Sequence, residues 1–182
     1  NCRHCGTIMT QNFLDLAFAP PSNAYICDEQ RGQVELTFPL KLKVCGECRL
    51  VQTQDYAQAD DLFTADYAYF SSTSQSWVKH AALYSQMIIE RLQLTQDSHV
   101  IEVASNDGYL LKNFKKGKIP CLGIEPTAST AARAREQGIV VLEEFFGEEM
   151  AATLKKADLI IGNNVFAHVP DINDFTRGLA CA

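Results

Sequence analysis

Apolar and polar positions follow two different patterns along this chain. Up to about residue 60 the apolar runs are short: Phe13–Leu16, Glu35–Leu42 and Leu50–Thr53, with Pro20, Pro21, Ser22, Asn23, Arg31 and Gly32 between them. Short runs bounded by turn-forming residues predict a loop-rich β domain. It holds too few large apolar side chains to stand on burial alone, so a staple is expected. An aromatic and acidic connector over 61–70 follows. From Ser74 to Leu94, residues Trp77, Ala81, Tyr84, Ile88 and Leu92 recur at spacings of three and four. That stripe predicts an amphipathic helix, expected to bridge the two halves.

From His99 the pattern alternates. His99–Ser105, Cys121–Glu125, Ile139–Leu142 and Asp158–Gly162 read as buried strands; Gly108–Lys115, Ala128–Gln137, Gly147–Lys155 and Asp171–Leu179 read as helices. Strands of this length alternating with helices imply a parallel sheet with right-handed crossovers. The expected fold class is α/β, divided into a β-rich domain over 1–60, a connector and bridging helix over 61–98, and a Rossmann-like parallel sheet over 99–182.

Charge narrows the function. Sixteen Lys and Arg against 22 Asp and Glu leave a net charge of −6, which opposes a phosphate-binding face and so a nucleic-acid partner. The Lys112–Lys118 stretch reads as a solvated helix end. No apolar run approaches the ~20 residues of a membrane span, and no basic-then-apolar leader opens the sequence. A cytoplasmic protein without a membrane partner is expected. The chain starts at Asn1 without an initiator Met and stops in mid-pattern at Ala182, so a fragment of a longer protein is expected.

Four of the seven cysteines form two Cys-x-x-Cys pairs, Cys2/Cys5 and Cys45/Cys48, each with a nearby glycine, Gly6 and Gly46. Each pair forms a turn that aims two thiolates at one ion, and glycine suits the backbone such turns need. Four thiolates around zinc make a closed tetrahedral site of the structural kind, whose binding energy supports a weak core. Redox dithiols are the alternative, but neither pair opens a helix in a βαβ context. His4 lies between two ligands and is expected to point away. Cys121 and Cys181 read as buried or incidental thiols.

The second informative stretch is Val100–Tyr109, where a buried strand runs into Ala104, Ser105, Asn106, Asp107 and Gly108 and then a helix. Open α/β sheets bind ligands there, beyond the carboxyl ends of their strands, and a helix N-terminus suits a carboxylate. Only one glycine is present where a dinucleotide loop would have three, which disfavours a nicotinamide cofactor. Glu125, followed by Pro126, closes the second strand; an acidic residue there accepts hydrogen bonds from both ribose hydroxyls. The fourth strand delivers Asn163 and Asn164 to the same rim. Of Phe145 and Phe146, one is expected beside adenine and the other in the core. Together these stretches resemble the class I methyltransferase fold, with Glu102 and Gly108 in its first motif and Glu125 as its ribose-binding acid.

The whole chain resembles the nucleotide-sugar C-methyltransferases. The matching stretches are Cys2–Gly6, Leu14–Leu16, Cys45–Cys48 with Leu50–Gln52, Asp66–Ser72, Ile101–Leu111 and Gly162–Asp171. The resemblance implies a zinc-binding N-terminal domain, a central S-adenosylmethionine domain and a further C-terminal domain beyond this sequence that carries a Glu-His pair. It implies methylation at carbon 3 of a nucleotide-linked keto-deoxysugar through an enolate, which requires a base, a stabiliser for the enolate oxygen and alignment of two reactants. His168 is the first candidate for proton transfer. Tyr67 is a second catalytic candidate, and Tyr69, Ser72 and His80 are substrate candidates. Two alternatives remain: an RNA or protein methyltransferase with a zinc-ribbon recognition module, which the acidic charge opposes, and a non-catalytic S-adenosylmethionine-binding fragment.

Overall fold

The computed structural model describes residues 1–23, 25–54 and 69–182. It divides into two units, Asn1–Ala68 with Pro170–Asn173, and Tyr69–Val169 with Asp174–Ala182. Tyr67 lies outside the described residues.

The first unit holds an antiparallel sheet of β1 (Gln11–Ala19), β2 (Phe38–Val44) and β3 (Val51–Thr53), in the order β1-β2-β3. The register of β1 against β2 slips between Asn12 and Leu14 and again between Asp15 and Phe18, and Ala17 takes a left-handed φ of 62°. Such bulges bend a strand away from regular pairing. Phe13, Leu14, Leu16 and Phe18 all remain exposed, so the apolar run that predicts β1 contributes nothing to a core. The buried cluster is Cys2, Met9 and Cys45, with Cys48 and Leu50 half-buried against it. So small a core needs the staple that the cysteine spacing supplies.

The second unit opens with α1 (Gln75–Leu92), capped by Ser74 Oγ, which accepts from the Trp77 amide at 3.3 Å. The helix ends at Gln93, in the left-handed region at φ 53°. Ala81 is buried and Tyr84, Ile88 and Ile89 pack around the same core as β4 residue Val100. The helix therefore belongs to the second unit. Trp77 and Leu92, members of the predicted stripe, are 36% and 44% exposed, because the buried face is centred on its middle turns.

Four parallel strands follow: β4 (Val100–Val103), β5 (Cys121–Ile124), β6 (Val140–Leu142) and β7 (Leu159–Ile161), in the order β6-β5-β4-β7. Between them lie α2 (Leu111–Lys116), α3 (Ala128–Glu136) and α4 (Glu148–Ala152), and α5 (Ile172–Cys181) follows β7. Every residue of β4 is buried. Val100 joins Leu111, Phe114, Ala131 and Ile139 in one core, and Ile101 and Val103 join Ile124 and Phe175 in the other. A strand covered on both faces needs the continuous apolar pattern that predicts it. Cys121 and Cys181 are half-buried against these cores.

The first strand is shorter than its apolar run, and the first helix starts later than expected. Ala104, Asn106 and Gly108 adopt left-handed φ values of 57°, 50° and 77°. These alternate reversals end the strand at Val103 and delay the helix to Leu111. At Gly108 a Cβ would overlap the Ile139 side chain and lie 3.2 Å from Ala134 Cβ. Gly108→Ala combines an unfavourable φ with overpacking, so a loss of about 1–3 kcal/mol is expected. Denaturant unfolding of the two proteins checks it; equal midpoints would remove the packing role.

The strand order reverses direction at β4: β5 and β6 lie on one side and β7 on the other. The segments leaving the carboxyl ends, 104–110, 125–127, 143–147 and 162–168, therefore share one rim. Ligands of open α/β sheets bind at such a switch point.

Candidate functional site

The four predicted thiols come together. The Sγ atoms of Cys2, Cys5, Cys45 and Cys48 all lie within 4.8 Å of one another, with Cys2–Cys48 and Cys5–Cys45 at 3.6 Å. Tetrahedral zinc with bonds near 2.3 Å sets thiolates about 3.8 Å apart, so the cluster fits that ion. The two turns are built alike. Gly6 N–H donates to Cys2 O at 3.0 Å and Arg49 N–H to Cys45 O at 3.1 Å; Cys2 N–H and Cys45 N–H reach Thr7 O and Leu50 O. Gly6 is left-handed, as expected, but the matching residue of the second turn is Arg49 at φ 66°, not Gly46. The residue after the second cysteine makes the reversal in both turns. Gly46 precedes it and needs no special backbone.

Gln52 supports the cluster from outside. It is 7% exposed, donates through Nε2 to Cys2 Sγ at 3.3 Å and accepts from Arg3 N–H at 2.9 Å. Such contacts orient metal ligands and tune their basicity. Burial raises the Cys2 thiol, but amides of Cys5 and His4 and the Gln52 side chain bring it down to about 6. Cys48 accepts from the Leu50 amide, which lowers it, yet burial and the three neighbouring thiols push it up to about 12. His4 is exposed and is not among the clustered ligands.

The rim of the parallel sheet is acidic and buried. Glu102 and Asp107 are fully buried and Glu125 is 5% exposed. The Glu125 carboxylate ties two segments together: Oε2 accepts from Asn106 N–H at 2.8 Å and Oε1 from Thr127 N–H at 3.0 Å. Each oxygen keeps a further lone pair. Asp107 Oδ2 accepts from Ser72 N–H at 3.1 Å. Both oxygens of Glu102, Asp107 Oδ1 and Ser105 Oγ are buried without a hydrogen-bond partner. Burial, then the charges of Glu125 and Asp107, hold the Glu102 carboxyl well above the usual range. No Lys, Arg or His is among the buried residues described.

Other expected residues take varied positions. Pro126 is half-buried beside Glu125, and Ala104 is half-buried in the loop. Asn164 turns the chain at φ 53°, and Asn163 Nδ2 lies 3.4 Å from the Tyr109 hydroxyl. Phe146 packs edge-on against Phe175, with ring centroids 5.3 Å apart, and belongs to the core; Phe145 is 52% exposed at the rim. His168 ends a short 3₁₀ turn, Phe166–His168, at the surface. Tyr69 is exposed and Ser72 half-buried, both beside the 104–108 loop.

Two residues of the rim are absent from the sequence-derived set. Trp77 stacks with His80 at 5.1 Å and with Tyr109 at 6.0 Å between ring centroids. Tyr109 is 4% exposed, and burial, then the charge of Glu102, pushes its hydroxyl up to about 12. This line of rings joins α1 to the loop after β4. Trp77 is hidden in the sequence because it falls on the apolar stripe and reads as core. Tyr109 directly follows Gly108, and that position is its only signal.

Residues 2–63 match the Methyltransf_13 family, described as a "putative zinc binding domain". The chain is 30% identical over 183 residues to the C-methyltransferase NovU of Streptomyces niveus, across 98% of this chain and 43% of the relative. It thus spans less than half of that protein's length. Solved structures similar in part include CalS10, an amino pentose methyltransferase from Micromonospora echinaspora. That match has 17% identity, 71% of this chain, 52% of that chain and a TM-score of 0.45. The sugar N-methyltransferase KedS8 of Streptoalloteichus matches at 16% identity, with 71% and 51% coverage and a TM-score of 0.42. The chain is thus similar to a C-methyltransferase over less than half of that protein's length, and residues 2–63, which hold the four clustered cysteines, match the zinc-binding family model.

Proposed function

We propose that the chain binds S-adenosylmethionine on the rim of its parallel sheet and forms the front of an enzyme that methylates carbon 3 of a nucleotide-linked keto-deoxysugar. The observation that carries the reading is the set of buried carboxylates, Glu102, Asp107 and Glu125, with orphaned acceptors and no cationic side chain buried among them. Acceptors left unpaired in a buried site are costly. A ligand that brings positive charge and hydroxyl donors relieves them, and S-adenosylmethionine carries a sulfonium, an ammonium and a ribose diol. The residues present fit it.

The cofactor supplies an electrophilic methyl group. In this reading Glu125 takes the ribose hydroxyls with its free lone pairs, and Glu102 and Asp107 face the cationic end. The backbone of 104–108 lines the approach, with Ser105 offering its unpaired hydroxyl. Asn163, Asn164 and Phe145 complete the rim. Tyr67, Tyr69, Ser72 and His80 are assigned to the sugar, and His168 to proton transfer or to the enolate oxygen. Zinc, at four thiols with no open position, braces the first unit and takes no part in the chemistry. The sugar and C-methyl assignments draw on the named relative and on the resemblance.

Calorimetry with S-adenosylmethionine and S-adenosylhomocysteine tests the reading directly. Binding of both is expected, with Glu125→Ala weaker by on the order of 10- to 100-fold through lost charge-assisted hydrogen bonds. An unchanged dissociation constant in that variant would reject the ribose role. His168→Gln in the full-length protein is expected to retain cofactor affinity and to lower turnover by about 10²–10⁴-fold. Wild-type turnover would remove His168 from the chemistry.

A further inference from the structure

We propose that Asn106 is a positioning residue whose side-chain amide fixes the 69–72 segment onto the loop after β4, so that one residue sets both the cofactor wall and the segment assigned to the sugar. The inference rests on the reading above for what the two surfaces bind, but its geometry is independent of any ligand. Asn106 Oδ1 accepts from Ser71 N–H at 2.8 Å, and Nδ2 donates to Tyr69 O at 3.0 Å. Its neighbour Asp107 accepts from Ser72 N–H through Oδ2 at 3.1 Å. The 69–72 segment belongs to no strand; locally it is held by the short turn in which Thr73 N–H reaches Phe70 O at 3.2 Å. Ser71 is 6% exposed, so water does not readily replace Asn106 at its amide.

The residue type follows from the backbone. At φ 50° position 106 is left-handed, a conformation that asparagine tolerates better than most residues. Its own N–H donates to Glu125 Oε2 at 2.8 Å. Glu125 therefore holds the backbone of Asn106, and the side chain of Asn106 holds Tyr69 and Ser71. A ligand that engages the Glu125 carboxylate acts on the residue that positions the 69–72 segment. The two surfaces are thereby coupled, and coupling is reciprocal.

Amide hydrogen exchange followed by NMR on the chain separates this role from general stability. In the wild type the Ser71 amide is expected to be protected. In Asn106→Ala its exchange should rise by about tenfold or more, while Ile101 and Val103 in β4 stay protected. Asn106→Asp keeps the acceptor and should restore Ser71 protection. Asn106→Gln, equally polar but one methylene too long, should not restore it. Added S-adenosylhomocysteine should slow Ser71 exchange further in the wild type and leave it unaltered in Asn106→Ala. Equal Ser71 exchange in wild type, Ala and Gln variants with β4 intact overturns the proposal. So does ligand binding to the wild type that leaves Ser71 and Ser72 unchanged. Failure of the ligand to bind at all would count against the cofactor reading, whereas the ligand-free variants still decide the positioning role.

Discussion

Replacing Cys45 by serine is expected to strip zinc from the chain and to unfold the first unit while leaving the parallel sheet folded. Cys45 is fully buried, and among the described residues the cluster around it contains only Cys2 and Met9 as other buried members. The apolar side chains of β1 lie on the surface, so they cannot compensate. Structural zinc at such sites contributes an apparent ~10–16 kcal/mol that is available only to the folded state. That exceeds the ~5–15 kcal/mol net stability of a typical domain. Metal analysis should give one zinc per wild-type chain and none per variant. Amide spectra should lose the dispersed signals of β2 and β3 and keep those of β4 to β7. A variant that keeps its β2 signals without metal would show that this sheet stands on its own packing. Chelation of the wild type should reproduce the variant.

The second large effect concerns charge and pH. Glu102 is fully buried and unpartnered, and the groups whose charges act on it are Asp107 and Glu125. Burial first, and then the Glu102 charge, raises Tyr84 on α1, Tyr109 and, on β5, Cys121; none of these is a cation. Its raised pKa means that the ligand-free native state holds a proton which the unfolded state releases above 4.5. The stabilisation from that proton is complete below 4.5 and is lost as pH rises through the native value. A cationic ligand favours the ionised form. Binding of S-adenosylmethionine is therefore expected to release a proton, and its affinity to rise with pH by up to about tenfold per unit while Glu102 titrates. Glu102→Gln should flatten that slope and weaken binding. S-adenosylhomocysteine, without the sulfonium charge, should show a shallower slope in the wild type. Calorimetry in buffers of different ionisation enthalpy measures the proton count. A wild-type affinity that is constant from mildly acidic to mildly alkaline pH would show that Glu102 does not titrate on binding.

Much of this was legible in the sequence, for identifiable reasons. Spacing alone marks the four clustered cysteines, because each Cys-x-x-Cys turn is local and brings two thiols to one side of the chain. The alternation of buried runs and helical stretches from residue 99 marks the parallel sheet, because a strand covered on both faces must be apolar throughout. Phe146 and Phe145 could not be told apart in advance, since adjacent residues at a strand exit point to different sides and the sequence does not say which. The role of Arg49 was equally hidden. Glycine at 46 is conspicuous, but the hydrogen bonds of the turn decide which residue reverses.

The sequence by itself determined the metal cluster, the α/β class and the rim on which Glu102, Asn106, Asp107 and Glu125 sit, because each depends on local spacing or on strand periodicity. Only the tertiary structure decided what those side chains do. It seals Glu102 without a partner, spends the Glu125 oxygens on two backbone amides, turns Asn106 toward Tyr69 and Ser71, and lines Trp77 up with Tyr109. Those outcomes depend on contacts between residues distant in the chain, and on burial, which lifts the Glu102 carboxyl well above the usual carboxylate range.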